Sequence, residues 1–141
     1  MPRFASFAPA ARALIALPDR WQKWALFDRP PRRLRAQGPV TLIGDAAHPM
    51  LPFLAQGGAM AIEDAAVLAH SLGREDDPAR ALRAYEVARR RRVARVQAEA
   101  RQNSWRYHLA GPLALARDTV LASLGGDRML RRYDWLYGWK L

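Results

Sequence analysis

The sequence predicts an α/β fragment, in which two short strands from a larger sheet are followed by a mostly helical C-terminal part. Residues 21–28 (WQKWALFD) place apolar side chains on both faces of an extended segment, which is typical of a strand. Residues 40–43 (VTLI) are a short, largely β-branched run, which indicates a buried strand. No further segment offers these two strands a sheet partner, whereas a complete α/β domain would alternate strands and helices several times.

Proline and glycine at the segment ends define the helical part. Pro9 lies early in the first helix, and Gly73 follows the second. Asp77 followed by Pro78 is a favourable N-cap and first residue for the longest helix. The aromatic tail at 133–139 is expected to pack against the rest of the protein. The predicted helices span residues 9–17, 59–72, 78 to about 108, and 113–124.

The composition excludes several classes of site. The 141 residues suffice for one domain. The absence of cysteine excludes a disulfide scaffold, a cysteine-ligated metal and a cysteine nucleophile, and the three histidines are too dispersed to predict a metal site. No run of about 18 uncharged apolar residues predicts a membrane span. The apolar stretch at 4–18 lacks a clean cleavage site, so we expect a cytoplasmic protein with no membrane partner.

The longest predicted helix carries most of the net charge of +10, with nine arginines and two glutamates between Pro78 and Arg106. Such a surface could attract nucleic acid or an acidic partner. However, the four arginines at 89–92 spread around a helix, and no aromatic side chains interleave with them. A solvated or interdomain helix face is therefore the preferred interpretation, and nucleic acid is not an expected partner. The apolar stripe of this helix has a gap at Arg89 and comprises Leu82, Tyr85, Val93, Val96 and Ala100.

The segment from Val40 to Leu68 has the features of a ligand site. Asp45 follows a predicted strand, where a carboxylate can accept a hydrogen bond from a ligand hydroxyl at the sheet edge. Gly57 and Gly58 open a helix, so a ligand can approach backbone N–H groups that have no intrahelical acceptor. The helix dipole adds partial positive charge there. This arrangement favours an electron-rich, nucleotide-like cofactor.

The residue sequence of this segment also resembles the second flavin-binding motif of the FAD-dependent aromatic-ring monooxygenases. The matching positions are Gly44-Asp45-Ala46-Ala47-His48, Pro52, Ala55-Gln56-Gly57 and Glu63-Asp64-Ala65. The residue sequences at 48–52, 24–29 and 134–138 are similar to those of the branch that contains salicylate and hydroxynicotinate hydroxylases. The resemblance implies the C-terminal part of a flavoprotein monooxygenase fold.

The same resemblance implies roles for particular residues. Asp45 would bind a ribityl hydroxyl of FAD, Pro52 would lie beside the isoalloxazine ring, and N–H groups near Gly57 to Ala59 would face the flavin N1–C2=O edge. The implied reaction is hydroxylation of a small aromatic acid with NAD(P)H and O2. The implied cofactor-binding residues are Gly44, Asp45, Pro52, Gln56, Gly57, Gly58, Ala59 and Met60.

Three further residues leave alternatives open. His48 is a candidate general base or substrate contact, but a structural histidine that turns the loop is the preferred interpretation. Glu63 and Asp64 could form a catalytic carboxylate pair. We prefer acidic residues in a first helical turn, stabilised by the helix dipole, with Asp64 packing against an upstream half.

Two motifs of the family have no match here, namely the N-terminal GxGxxG and the central Asp-Gly pair. We therefore expect the C-terminal portion of such an enzyme, either part of a truncated or longer chain or one half of a split enzyme with a separate N-terminal half as partner. Its predicted regions are a substrate-domain-like segment at 1–38, the flavin-binding strand–loop–helix at 39–73 and a helical segment at 74–141. The alternative function is a small basic binding or assembly module that acts through the arginine-rich helix without catalysis.

Overall fold

The computed structural model describes residues 4–31 and 37–141, and the regular elements of these residues are helices. The helices at 57–72 and 78–107 pack most extensively against each other, and the short helix at 44–47 packs on the first of them. The division into 1–38, 39–73 and 74–141 stays a prediction, and residues 1–3 and 32–36 of its first region lie outside the described part. The helices are α1 (Pro9–Ala16), α2 (Gly44–Ala47), α3 (Gly57–Leu72), α4 (Pro78–Tyr107), α5 (Gly111–Arg131) and α6 (Asp134–Tyr137), with a 3-10 turn at Pro52–Leu54.

The prediction of two short strands from a larger sheet is wrong for the described residues. Residues 21–28 form no regular element, and Val40 makes only an isolated antiparallel bridge with Gln37. Ile43 does adopt extended backbone angles, with φ −130° and ψ 162°. A strand also needs a neighbouring chain to accept and donate its backbone hydrogen bonds, and the described residues supply none. The apolar pattern at 40–43 therefore predicted a buried strand, whereas Val40, Leu42 and Ile43 are exposed and belong to no sheet among the described residues.

The helix predictions are confirmed in their main features. In α4, the Asp77 side chain accepts a 2.9 Å hydrogen bond from the Ala79 N–H, and Pro78 occupies the first turn. Helix α3 ends at the predicted Gly73 but begins two residues earlier than expected, at Gly57. Within Gly111–Arg131 two helices meet at a kink, because Gly125 is non-helical with φ 71° and ψ 162°, so the first of them ends at Leu124 as predicted.

The core lies between α3 and α4 and is closed by α6. Met60 of α3 packs with Val93 and Val96 of α4 and with Leu136 of α6. The predicted apolar stripe of α4 is buried, and Arg89, which left a gap in it, is buried as well. The aromatic tail does pack in part, since Trp135 lies against this cluster. By contrast, α5 contains no buried residue. No helix in the described ranges is long and apolar enough to cross a membrane.

Replacing the N-cap of α4 should lower the stability of the protein. Asp77→Ala leaves the first N–H groups of α4 without their side-chain acceptor, and we expect the free energy of unfolding to fall by about 1 kcal/mol. Urea unfolding followed by circular dichroism measures this. The control is Asp76→Ala, which removes an exposed carboxylate one residue away. An equal loss in both variants would contradict the capping role.

Candidate functional site

The turn at Gly44–His48 has a backbone that only glycine can begin without strain. Gly44 has φ +58°, and a Cβ added to it would lie 3.3 Å from the Cβ of Ala61 on α3. The turn then closes with a 2.9 Å hydrogen bond from the His48 N–H to the Gly44 carbonyl. The turn therefore sits directly on the surface of α3.

Asp64 is the buried anchor of this turn. Its side chain is 0% exposed. Its Oδ2 accepts a 2.8 Å hydrogen bond from the Gly44 N–H and lies 2.8 Å from His48 Nε2, while its Oδ1 accepts a 2.7 Å hydrogen bond from Arg89 Nε. One carboxylate therefore connects the turn, α3 and α4. The expectation that Glu63 and Asp64 lie in a first helical turn is wrong, because α3 begins at Gly57 and has no acidic residue in its first turn. Asp64 also has no exposed surface with which to pack against an upstream half, because this network surrounds it.

Arg89 and Arg92 are not solvated cations. Arg89 is 3% exposed, and its Nη1 donates to Glu63 Oε2 at 2.6 Å. Arg92 donates to both oxygens of Glu63, and also to the carbonyls of Trp135 and Leu136 at 2.9 and 2.8 Å. These two arginines therefore tie α3, α4 and α6 together. The interpretation of 89–92 as a solvated or interdomain face is wrong for them, and it holds only for the exposed Arg90 and Arg91.

The arginine-rich helix consequently gives little support to the alternative function of a basic binding module. Two of the four arginines at 89–92, Arg89 and Arg92, form ion pairs with the acidic side chains Glu63 and Asp64 of α3. A cation whose charge is already paired contributes little to long-range attraction of nucleic acid.

The ion pairs hold both acids in their charged form. Burial raises the pKa of Asp64, but hydrogen bonds from His48, the Gly44 N–H and Arg89 outweigh it, so that its pKa lies below the usual value. Burial likewise raises the pKa of Glu63, but hydrogen bonds from Arg92 and Arg89 outweigh this effect, so that the pKa of Glu63 also lies below its usual value. Both carboxylates are therefore charged at neutral pH.

Polar side chains of α4 fix the loop that follows the turn. Gln97 Nε2 donates to the Pro49 carbonyl at 2.8 Å and to the Arg29 carbonyl at 3.2 Å. Asn103 Nδ2 donates to the Phe53 carbonyl at 3.2 Å. No sequence motif predicted a role for either residue. The available signal was their spacing of three or four residues from Val93 and Ala100 of the predicted apolar stripe, where a buried polar side chain needs a partner.

The open part of the site lies where the turn meets the start of α3. Asp45 is exposed, and its Oδ1 lies 3.5 Å from where a Cβ on Gly57 would stand. A Cβ on Gly58 would meet no atom within 4 Å among the described residues. The N–H groups of Gly57, Gly58 and Ala59 lie in the first turn of α3, where no intrahelical acceptor is available. Helix α3 also begins without a side-chain cap that could accept from them. An exposed carboxylate acceptor thus lies beside Gly57, at the uncapped start of α3.

The structure brings only some of the predicted cofactor residues to this space. Pro52 is exposed at the start of the 3-10 turn, whereas Gln56 is buried. Met60 is 0% exposed in the core, and its N–H is bonded to the Gln56 carbonyl, so its observed contacts are structural. His48 is buried against Asp64, a position that favours the structural interpretation of this residue. The residues at this open part of the site are Asp45, Gly57 and Gly58, and Ala59 follows them in the first turn of α3.

Comparison with known proteins yields one family and several relatives. Residues 10–100 match the family described as FAD binding domain. The chain is 42% identical over 137 residues to 3-hydroxybenzoate 6-hydroxylase 1 of Aquipseudomonas alcaligenes, a match that covers 96% of this chain and 35% of that protein. It is 44% identical over 104 residues to 6-hydroxynicotinate 3-monooxygenase of Bordetella bronchiseptica, covering 72% of this chain and 27% of the relative.

Solved structures show the same relationship. The fold is similar to a variant of Klebsiella pneumoniae HpxO complexed with FAD, with a TM-score of 0.85 and 33% identity over 94% of this chain and 36% of that one. HpxO complexed with FAD and uric acid gives a TM-score of 0.82 at 34% identity, covering 91% and 34% of the two chains. The chain thus spans about a third of the length of these relatives.

Acid should destabilise the protein through the Asp64 and Glu63 network. Because the folded pKa of each acid is lowered, its contribution is present above the unfolded pKa, about 4, and is lost as pH falls through the folded value. We expect the free energy of unfolding to drop steeply below about pH 4. Glu63→Gln should flatten this dependence, whereas Glu75→Gln, at an exposed position, should retain it. Identical pH profiles for the two variants would argue against the network.

A side chain at Gly44 should be poorly tolerated. Gly44→Ala forces a left-handed backbone on a residue with a Cβ and brings that Cβ against Ala61, so we expect a loss of about 1–3 kcal/mol in the free energy of unfolding. Thermal or urea unfolding measures the loss. Gly126→Ala, whose Cβ would meet nothing within 4 Å, is the matched control. Equal stability of the two variants would show that the turn does not require glycine.

Proposed function

The chain belongs to the FAD binding domain family, and from this premise we propose that it is the flavin-contacting C-terminal part of a flavin-dependent aromatic monooxygenase. The observation that carries the proposal is the juxtaposition of the exposed Asp45 carboxylate with the uncapped, glycine-lined start of α3. Both features fit a flavin, which presents ribityl hydroxyls as donors and an electron-rich ring edge as acceptor. When bound, FAD supplies the redox and oxygen chemistry.

The residues of this chain would bind and orient the cofactor. We propose that Asp45 accepts a hydrogen bond from a ribityl hydroxyl and that Pro52 lies beside the isoalloxazine ring. The N–H groups of Gly57, Gly58 and Ala59 donate to the N1–C2=O edge. The partial positive charge at the start of α3 stabilises negative charge on that edge, and it does so without reorganisation because the helix is already formed.

The proposed substrate is a small electron-rich aromatic acid. This follows from the names of the relatives, which act on 3-hydroxybenzoate or 6-hydroxynicotinate, and from the HpxO complex with uric acid. The proposed co-substrates are NAD(P)H and O2. A cytoplasmic location stays a prediction.

A separate or covalently linked N-terminal half is the proposed partner. Trp24 and Phe27 are 79% and 80% exposed on the segment that was expected to join a sheet. Large exposed apolar side chains in one region indicate a surface that another part of a protein covers. We propose that the covering part also carries the GxGxxG motif expected to hold the ADP moiety of FAD.

Loss of the Asp45 carboxylate should weaken flavin binding. FAD fluorescence and visible absorbance are followed during titration of the chain alone and of a chimera in which it replaces the matching part of the A. alcaligenes 3-hydroxybenzoate 6-hydroxylase. We expect Asp45→Ala to raise the Kd about tenfold because one charge-assisted hydrogen bond is lost. Asp76→Ala, also an exposed carboxylate, should leave the Kd unchanged. An unchanged Kd for Asp45→Ala, or no saturable binding in either form, contradicts the proposal.

Filling the space in front of α3 should block the cofactor without harming the fold. Gly58→Leu adds a side chain where no described atom lies within 4 Å, so the protein should remain folded while FAD affinity falls about tenfold or more. Gly126→Leu places the same side chain in an equally open position on α5 and should bind FAD as the unmodified protein does. Unaltered binding by Gly58→Leu would show that the ligand lies elsewhere.

A further inference from the structure

We propose that Asp64 and Arg89 are positioning residues of the flavin site, which act by fixing the Gly44–His48 turn against α3. The inference rests on the proposed function for the identity of the ligand. The placement of the turn itself rests only on the contacts described above. Neither residue borders the open space, and both are buried, so their effect on a ligand would pass through the turn.

The contacts of Asp64 explain how the turn is held. Its two oxygens bond to groups on three different parts of the chain, namely the Gly44 N–H, the His48 ring and the Arg89 guanidinium. The Gly44 N–H is one residue before Asp45, so the bond to Asp64 sets where the Asp45 carboxylate emerges. An amide could not replace this carboxylate, because its NH2 group would face a donor where an acceptor is needed.

Arg89 supplies the charge that makes a buried carboxylate stable in this position. A buried ion that loses its partner is strongly unfavourable, so Asp64 depends on Arg89 to stay charged and in place. Arg89 is itself restrained, since it also donates to Glu63 and its guanidinium lies 5.4 Å from the Trp139 ring centroid. The position of the turn is therefore determined by the packed α3–α4 pair.

Amide hydrogen exchange on the folded chain tests this placement directly. We expect Asp64→Asn to accelerate exchange at the Gly44 and His48 amides about tenfold more than at Val96, in the core of α4. The control is Glu99→Gln, which removes a carboxylate that bonds to Arg106 and Arg132 elsewhere on the molecule. Uniform acceleration at all amides would reveal a general loss of stability and would overturn the proposal, as would no acceleration at the turn.

A second measurement links the turn to the ligand. FAD affinity is measured in the form, chain or chimera, in which the unmodified protein binds, and Asp64→Asn should weaken it about tenfold. Arg89→Lys, which keeps the charge, should retain more affinity than Arg89→Met. Equal affinities for these two variants would overturn the positioning role. If the unmodified protein binds no FAD in either form, the proposed function fails, and the exchange data still decide whether the pair fixes the turn.

Discussion

A single buried carboxylate organises this molecule. Asp64 accepts hydrogen bonds from the Gly44 N–H and from Arg89 and lies against His48, so it joins the Gly44–His48 turn, which contains the short helix α2, to the two helices that form the core. A carboxylate without access to water requires such partners, and all of them must be present together. The turn, the α3–α4 contact and the start of α3 therefore form one structural unit.

This unit explains why an open, polar space can exist beside a small core. The Met60 cluster supplies apolar burial, while Glu63 and Arg92 attach the C-terminal α6 to it. The loop beyond the turn is held by Gln97 and Asn103 rather than by a sheet. With the backbone fixed in this way, the N–H groups at the start of α3 need no further rearrangement to meet a ligand, which is the arrangement that electrostatic stabilisation requires.

The sequence predicted the features that depend on local chemistry. The Asp77-Pro78 start of α4, the end of α3 at Gly73 and the buried stripe of α4 all follow from capping and periodicity. The order of residue types in the motif at 44–65 predicted the family. The prediction of strands at 21–28 and 40–43 was wrong because a strand forms only when a second segment pairs with its backbone. The sequence of one segment does not show whether such a partner is present.

The pairing of Arg89 with Asp64 could not be predicted from the sequence either, since the two residues are 25 positions apart.

The most direct test of the proposed site is the amide chemical-shift map of the ¹⁵N-labelled chain or chimera during FAD addition. The account predicts saturable shifts concentrated at Asp45 and at Gly57 to Ala59. Saturable shifts elsewhere with these amides unchanged, or no shifts in either form, would contradict it.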